Sequence, residues 1–207
     1  MNINGKKAIV FGGTSGIGLS ATNMLSEKGA NVIAVSRNPE KLKDLPKNVT
    51  TKKLDITDKE SVEKFFHEIG EYDILVNSAT GGARAVGPFL SMDLDGFKAS
   101  FDKLWGYTNV VRYGTKFLKD DGNIVLVSGS PARKCRPGQI AISSVGGAVE
   151  AFARGIAPEI APKRINIVAP GIIDTPMSPL EGKAREEFYQ NTTNSNLIPR
   201  AGTPDEV

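Results

Sequence analysis

An α/β fold built on a doubly wound parallel sheet is predicted by three observations. Short apolar runs rich in β-branched residues alternate with longer stretches of helical periodicity along all 207 residues. The first run, Ala8-Ile-Val-Phe11, passes directly into glycines at 12, 16 and 18 and then into a helical pattern. Six such runs follow one another with enough chain between them for crossover helices, and right-handed crossovers gather them into one sheet.

Ala8–Phe11 reads as a fully buried strand, and the helix after it runs from Ile17 through Leu19, Ala21, Met24 and Leu25 to a stop at Gly29. Each glycine between them has a mechanical reason. Gly12 permits the tight turn, Gly16 lets backbone approach a pyrophosphate, and Gly18 lets helix pack on strand. The helix start offers free N–H groups and a positive dipole end to phosphate, with Thr14, Ser15 and Ile17 in the same turn. Asn31–Ser36 is the second strand. About 20 residues beyond the glycines, dinucleotide folds carry an acidic residue for the ribose 2′-hydroxyl. Here that place holds Ser36, followed by Arg37. No carboxylate repels a 2′-phosphate and a guanidinium can pair with it, which favours NADP(H) over NAD(H). The alternative for Arg37 is a solvated side chain at a strand end.

Lys41–Leu45 is expected to be a short helix and Val49–Leu54 the third strand, followed by Asp55, Ile56, Thr57 and Asp58. Thr57 or Asp58 caps the next helix, Lys59–Ile69. Tyr72–Val76 is the fourth strand, leading into Asn77-Ser78-Ala79-Thr80-Gly81. Leu94–Leu118 reads as one long helix with its apolar face on the sheet, and Asn123–Val127 as the fifth strand, ending in Ser128-Gly129-Ser130. Gln139–Ile160 is a second long helix, rich in small residues on one face. Arg164–Gly171 is the sixth strand with its exit, and residues 173–196 form a substrate loop within a single domain spanning 1–207.

Composition narrows the function. Forty per cent hydrophobic and 24% charged residues are ordinary for a soluble globular chain. The net charge of +3 is small and the basic residues are scattered, so no nucleic-acid stripe is expected. No apolar run approaches membrane-span length and no signal peptide precedes the first strand, so the expected location is cytoplasmic. The single cysteine, Cys135, excludes an internal disulfide. The single histidine, His67, lies on an amphipathic helix at the surface or its boundary, and argues against a His-rich metal site and a Ser-His-Asp triad. No metal is expected.

The spacing Gly12-x-x-x-Gly16-x-Gly18 after a strand resembles the short-chain dehydrogenase/reductase family, whose motif is Thr-Gly-x-x-x-Gly-x-Gly; Phe11 stands at the Thr place. Arg164-Ile-Asn-Ile-Val-Ala-Pro-Gly171 is similar to the family's Arg-Val-Asn-x-Val-x-Pro-Gly, and Asn77-Ser78-Ala79-Thr80 to its Asn-Asn-Ala-Gly. The resemblance covers the chain from Gly12 to Pro204. It implies a Rossmann-like sheet and NADP(H)-dependent hydride transfer on a small carbonyl or alcohol. It also implies Asp55 on the adenine amino group, backbone contacts to adenosine at Asn77–Ala79, and Thr175 on the nicotinamide carboxamide, with Pro170, Gly171 and Ile172 holding that end.

The family's chemistry uses a Tyr as proton donor, a Lys four residues later, a Ser after the fifth strand and an Asn in the preceding helix. Those places fall here on Ile142, Gly146, Gly129 and, in Lys103-Leu-Trp-Gly106, on Lys103. No tyrosine occurs between Tyr113 and Tyr189, so no small shift restores the Tyr-x-x-x-Lys motif. Two readings remain open. One is a divergent NADP(H) oxidoreductase whose acid is Lys103, Ser128 or Ser130, or more weakly Tyr107, one helical turn from Lys103. The other is a pseudo-enzyme that binds NADP(H) as a sensor or partner subunit. Lys103 as a solvated charge and Tyr107 as ordinary packing are the plain alternatives.

The resemblance further implies a homodimer or homotetramer through the two long helices, with Gly146, Gly147, Ala148 and Ala151 letting backbones approach. Finally, Thr203, Pro204 and Glu206 form a capping box at the start of a helix. The expectation is that the polypeptide runs on into a helix and a seventh strand, or that another chain covers the sixth-strand edge.

Overall fold

The computed structural model describes residues 2–80 and 83–207; Gly81, named above in the loop after the fourth strand, lies outside them. Six parallel strands form one sheet: β1 (Lys7–Phe11), β2 (Asn31–Ser36), β3 (Val49–Lys53), β4 (Tyr72–Asn77), β5 (Leu118–Val127) and β6 (Arg164–Val168). Their order is β3-β2-β1-β4-β5-β6. The helices are α1 (Gly16–Glu27), α2 (Lys59–Ile69), α3 (Leu94–Ala99), α4 (Asp102–Gly114), α5 (Ile140–Ile160) and α6 (Gly182–Thr193). Phe11 pairs in register with Val35 and with Asn77, and Asn77 with Leu126. The carboxyl ends of the central strands therefore open on one side. The chain builds outward from β1 to β3, then returns to start β4 beside β1, and the reversal leaves a crevice where such sheets take ligands.

Period-two alternation in β1 assigns its residues to two cores. Ile9 and Phe11 join Phe65, Phe66, Tyr107, Val110 and Val149, so α2, α4 and α5 share that face. Ala8 and Val10 join Ala30, Val32 and Ala34, with Ala21 and Leu25 of α1 against them. Phe11 sits edge-on to Phe65 at 5.8 Å, which explains an aromatic side chain where the resembled motif has Thr.

Four expectations are corrected. The segment Leu94–Leu118 is not one helix. Ser100 and Phe101 interrupt it because the Ser100 hydroxyl bonds both the Ala85 N–H and the Gly96 carbonyl, each at 2.9 Å. The helix ends at Gly114, and Leu118 already pairs with Tyr72, so β5 begins five residues earlier, ahead of a register irregularity. The short helix at Lys41–Leu45 is only a tight turn at Pro39–Lys41, since Leu42 is extended and Asp44 is left-handed at φ 55°. Lastly, α5 spans 21 residues and is long and apolar enough to cross a membrane by length and composition. In the fold its Ala141, Val145, Val149 and Ala153 are buried on the protein side together with a charged residue, Glu150. His67 is exposed, its ring edge-on to Phe117.

Candidate active site

At the carboxyl ends of the strands lies a cleft of about 1040 Å³. One end is the β1–α1 turn. Gly12 and Gly16 are left-handed, at φ 75° and 50°. A Cβ at Gly18 would lie 2.2 Å from the Gly12 carbonyl oxygen and 2.4 Å from Ser78 Oγ, so only glycine fits. The Ser78 hydroxyl donates to the Phe11 carbonyl at 3.0 Å and locks β4 against this turn. The first turn of α1 carries no acidic residue, its leading N–H groups have no intrahelical partner, and Gly16, Ile17 and Gly18 line the cleft.

Beyond the turn, Ser36 and Arg37 line the cleft, and the buried Ser36 Oγ has no hydrogen-bond partner among the described residues. Asp55 and Ile56 lie alongside. Asp55 Oδ1 accepts from the Thr57 N–H and hydroxyl at 2.9 and 2.8 Å. Asp58, not Thr57, caps α2, accepting from the Ser61 N–H at 3.1 Å. From the opposite wall, Pro170, Gly171, Ile172 and Thr175 reach over, and a Cβ at Gly16 would meet the Thr175 side chain at 3.3 Å. Thr14, Ser15, Ile17, Ser78 and Ala79 complete this half.

Asn77 is the exception among the residues assigned to the cofactor. It is fully buried behind the wall, where its Oδ1 accepts the Ala79 N–H at 3.2 Å. Its side chain shapes the loop instead of lining the cleft, because the last residue of β4 points into the protein.

The other half of the cleft is built by α4, the β5–α5 connection and α5. Lys103 is half-buried and donates to the Ser128 carbonyl at 3.3 Å, with its ammonium 5.3 Å from the Tyr107 ring centroid. Burial, and secondarily the charge of Arg84, bring Lys103 from its ordinary 10.5 down to about 8. Tyr107 cannot serve as the acid. It is fully buried, its hydroxyl donates to the Val127 carbonyl at 3.0 Å, and burial pushes its pKa far up.

The Ser128 hydroxyl is turned toward α5, 3.2 Å from the Gly146 carbonyl and 3.4 Å from Glu150 Oε1. Glu150 is buried and also accepts from Arg133 Nε at 3.0 Å. Ser130 lines the cleft, its N–H fixed to the Pro170 carbonyl at 2.8 Å. Ile142 and Gly146 face the same space. A Cβ at Gly146 would lie 3.0 Å from Ala132 Cβ and 3.3 Å from Ser128 Oγ, so the room a longer side chain would need is taken from within. For the same reason Gly146 is not on the outer face of α5, contrary to expectation.

Sequence reasoning missed Glu150, whose carboxylate at a core position of an apolar helix was the available signal. It also missed Arg84, Lys134, Arg136, Gln139 and Asn196, which line the cleft from loops whose folding no local pattern foretells.

The short chain dehydrogenase family matches residues 6–186. The chain is 33% identical to the 3-oxoacyl-(acyl-carrier-protein) reductase FabG of Thermotoga maritima, covering 100% of this chain and 89% of that protein. It is 30% identical to the L-xylulose reductase of Mus musculus, covering 86% and 75%. Among solved structures it is similar to a small-chain dehydrogenase in complex with NADPH, with a TM-score of 0.86, 28% identity and coverage of 99% and 88%. It is also similar to a short chain dehydrogenase from Burkholderia cenocepacia in complex with NADP, with a TM-score of 0.82, 28% identity and coverage of 100% and 82%. The chain belongs to the short-chain dehydrogenase family.

Proposed function

We propose that this protein is an NADP(H)-dependent oxidoreductase acting on a carbonyl or alcohol, a divergent family member in which Lys103 replaces the usual tyrosine as proton donor. The cofactor fits the glycine cradle, the acid-free start of α1, the unpartnered Ser36 hydroxyl and the Arg37 guanidinium. When bound, the nicotinamide supplies the hydride that goes to the carbonyl carbon. The chain then has to hold the substrate oxygen and give it a proton. Lys103 Nζ releases that proton, becomes a neutral amine and is reprotonated from solvent. The Ser130 hydroxyl orients the oxygen, and Thr175 with Pro170, Gly171 and Ile172 holds the carboxamide end. Residues 173–196 are the substrate loop of the single domain 1–207.

One observation carries the reading: a half-buried ammonium with a lowered pKa faces the part of the cleft where Gly129, Ile142 and Gly146 supply no acid. A general acid contributes roughly 10²- to 10⁴-fold. Lys103→Met should therefore lower NADPH consumption over a carbonyl panel by about that factor and leave NADPH affinity nearly unchanged.

The capture of the Ser128 hydroxyl by Glu150 and Gly146 favours a second reading, a catalytically silent NADP(H) binder serving as sensor or partner subunit. Tight NADPH binding with no turnover on any carbonyl would select it. A homodimer or homotetramer through α4 and α5 accompanies either reading. It is supported by the exposed Ala151 and Gly155 and by Gly147, beside which a Cβ would meet nothing within 4 Å. A cytoplasmic location goes with this function.

A further inference from the structure

The cleft is electrostatically lopsided. Arg84, Lys103, Lys134 and Arg136 line its α4–α5 half. Among the described residues, the only carboxylate lining the cleft is Asp55, in the cofactor half. None of the four cations has an ion-pair partner among the described residues. The fold fixes the backbone that carries Arg84 and Lys134, and the side chains of Lys103 and Arg136. The Arg84 loop is fastened where the Ala85 N–H meets Ser100 Oγ at 2.9 Å, at the break between α3 and α4. The Lys134 N–H donates to the Ser130 carbonyl at 2.9 Å. Arg136 spends one guanidinium N–H on the Thr192 carbonyl at 3.1 Å, near the end of α6. Its own N–H donates to Gln139 Oε1 at 3.2 Å, the start of α5. Three segments far apart in sequence thus aim like charges into one concavity.

Like charges gathered in one cleft repel, as the depression of Lys103 by Arg84 already records. They focus a positive potential into the cleft, and an anion entering it recovers that unfavourable energy. Guanidinium groups add planar pairs of donors suited to carboxylate or phosphate. Arg37 lies in the cofactor half, so a 2′-phosphate there leaves these four cations unmatched.

Resting on the oxidoreductase reading above, we infer that the substrate is a small carbonyl compound bearing an anionic group, a carboxylate or a phosphate. The anion is received by Arg84, Lys134 and Arg136, while the carbonyl lies at Lys103. This arrangement fixes the substrate at both ends. It lets binding energy at the remote anion position the reacting carbon.

The test is titration calorimetry on the protein saturated with NADP⁺, which binds but cannot reduce. Three aldehydes of similar shape are compared: terephthalaldehydic acid, its neutral primary amide, and formylphenyl phosphate. At low ionic strength at least one anionic aldehyde should bind about tenfold or more tighter than the amide, and whichever anion does so names the group. Raising the salt should shrink that advantage. Arg84→Gln and Arg136→Gln, both exposed positions, should each reduce it severalfold without changing NADP⁺ affinity. Equal affinity of acid, phosphate and amide, or no measurable binding of any, overturns the inference while leaving the cofactor reading intact. Failure to bind NADP⁺ overturns both. Preference for an anion with no NADPH turnover keeps the anion site and removes only the catalytic step.

Discussion

Lys103 owes its chemistry to its neighbours. Its ammonium lies 5.3 Å from the centroid of the buried Tyr107 ring and has a carbonyl, not a carboxylate, to bond. With the value brought down to about 8, the proton is held at neutral pH but released more readily than from a solvated lysine. The sign of the pH dependence follows. If the protonated form is the donor, as proposed, turnover should be level below the folded value and fall as pH rises through about 8. A rate independent of pH from 6 to about 10 would show that another group delivers the proton. The identity of Lys103 was legible in the sequence as the residue at an Asn place. Its environment was not, because its burial and the charge of Arg84 beside it come from tertiary structure. Tyr107 shows the converse: correct spacing on the helix, but a hydroxyl committed to Val127.

At the scale of elements, two junctions decide whether the cleft exists. The first is the β1–α1 turn. Gly18→Ala sets a methyl 2.2 Å from a backbone oxygen that cannot rotate away. It should cost about 1–3 kcal/mol or more and abolish NADPH binding; thermal melting with a cofactor titration checks both. The second is at the opposite ends of the strands. Asp73 of β4 accepts from Lys6 Nζ at 3.0 Å and the Lys7 N–H at 2.9 Å, and pairs with Lys119 Nζ of β5 at 3.2 Å. Burial pushes this carboxyl up, but the three donors together pull it further down, leaving it below its ordinary 3.8. A depressed folded value means the stabilisation is complete above the unfolded value and is lost as pH falls through the folded one. Asp73→Ala should cost about 1–3 kcal/mol at neutral pH and remove this acid-sensitive step, as read by urea unfolding at neutral and low pH. The glycine turn and strand order were readable from local spacing. The helix break at Ser100 was not, since its cause is a tertiary bond to Ala85. The early start of β5 was also hidden, because Lys119–Gly122 carries no strand-like pattern.

For the whole molecule, the parallel sheet gathers the cleft-lining residues at one rim, and the two halves of the cleft differ in how far the sequence announced them. The cofactor half is coded by contiguous motifs. The cation-rich half is assembled from loops around Arg84, Lys134 and Arg136, so composition saw only scattered basic residues and a small net charge. The small residues on the outer face of α5 predict a dimer or tetramer at micromolar concentration. Light scattering that returned a monomer mass, near 22.1 kDa, would remove that assembly. We propose that an NADP(H) cofactor occupies the glycine-lined half and is selected through Ser36 and Arg37. The direct measurement is a fluorescence titration of the unmodified protein with NADPH and with NADH. A charge-assisted pair to the 2′-phosphate predicts NADPH tighter by about tenfold or more, with Arg37→Asp reversing the order. Equal affinity for the two cofactors, or binding of neither, would contradict it.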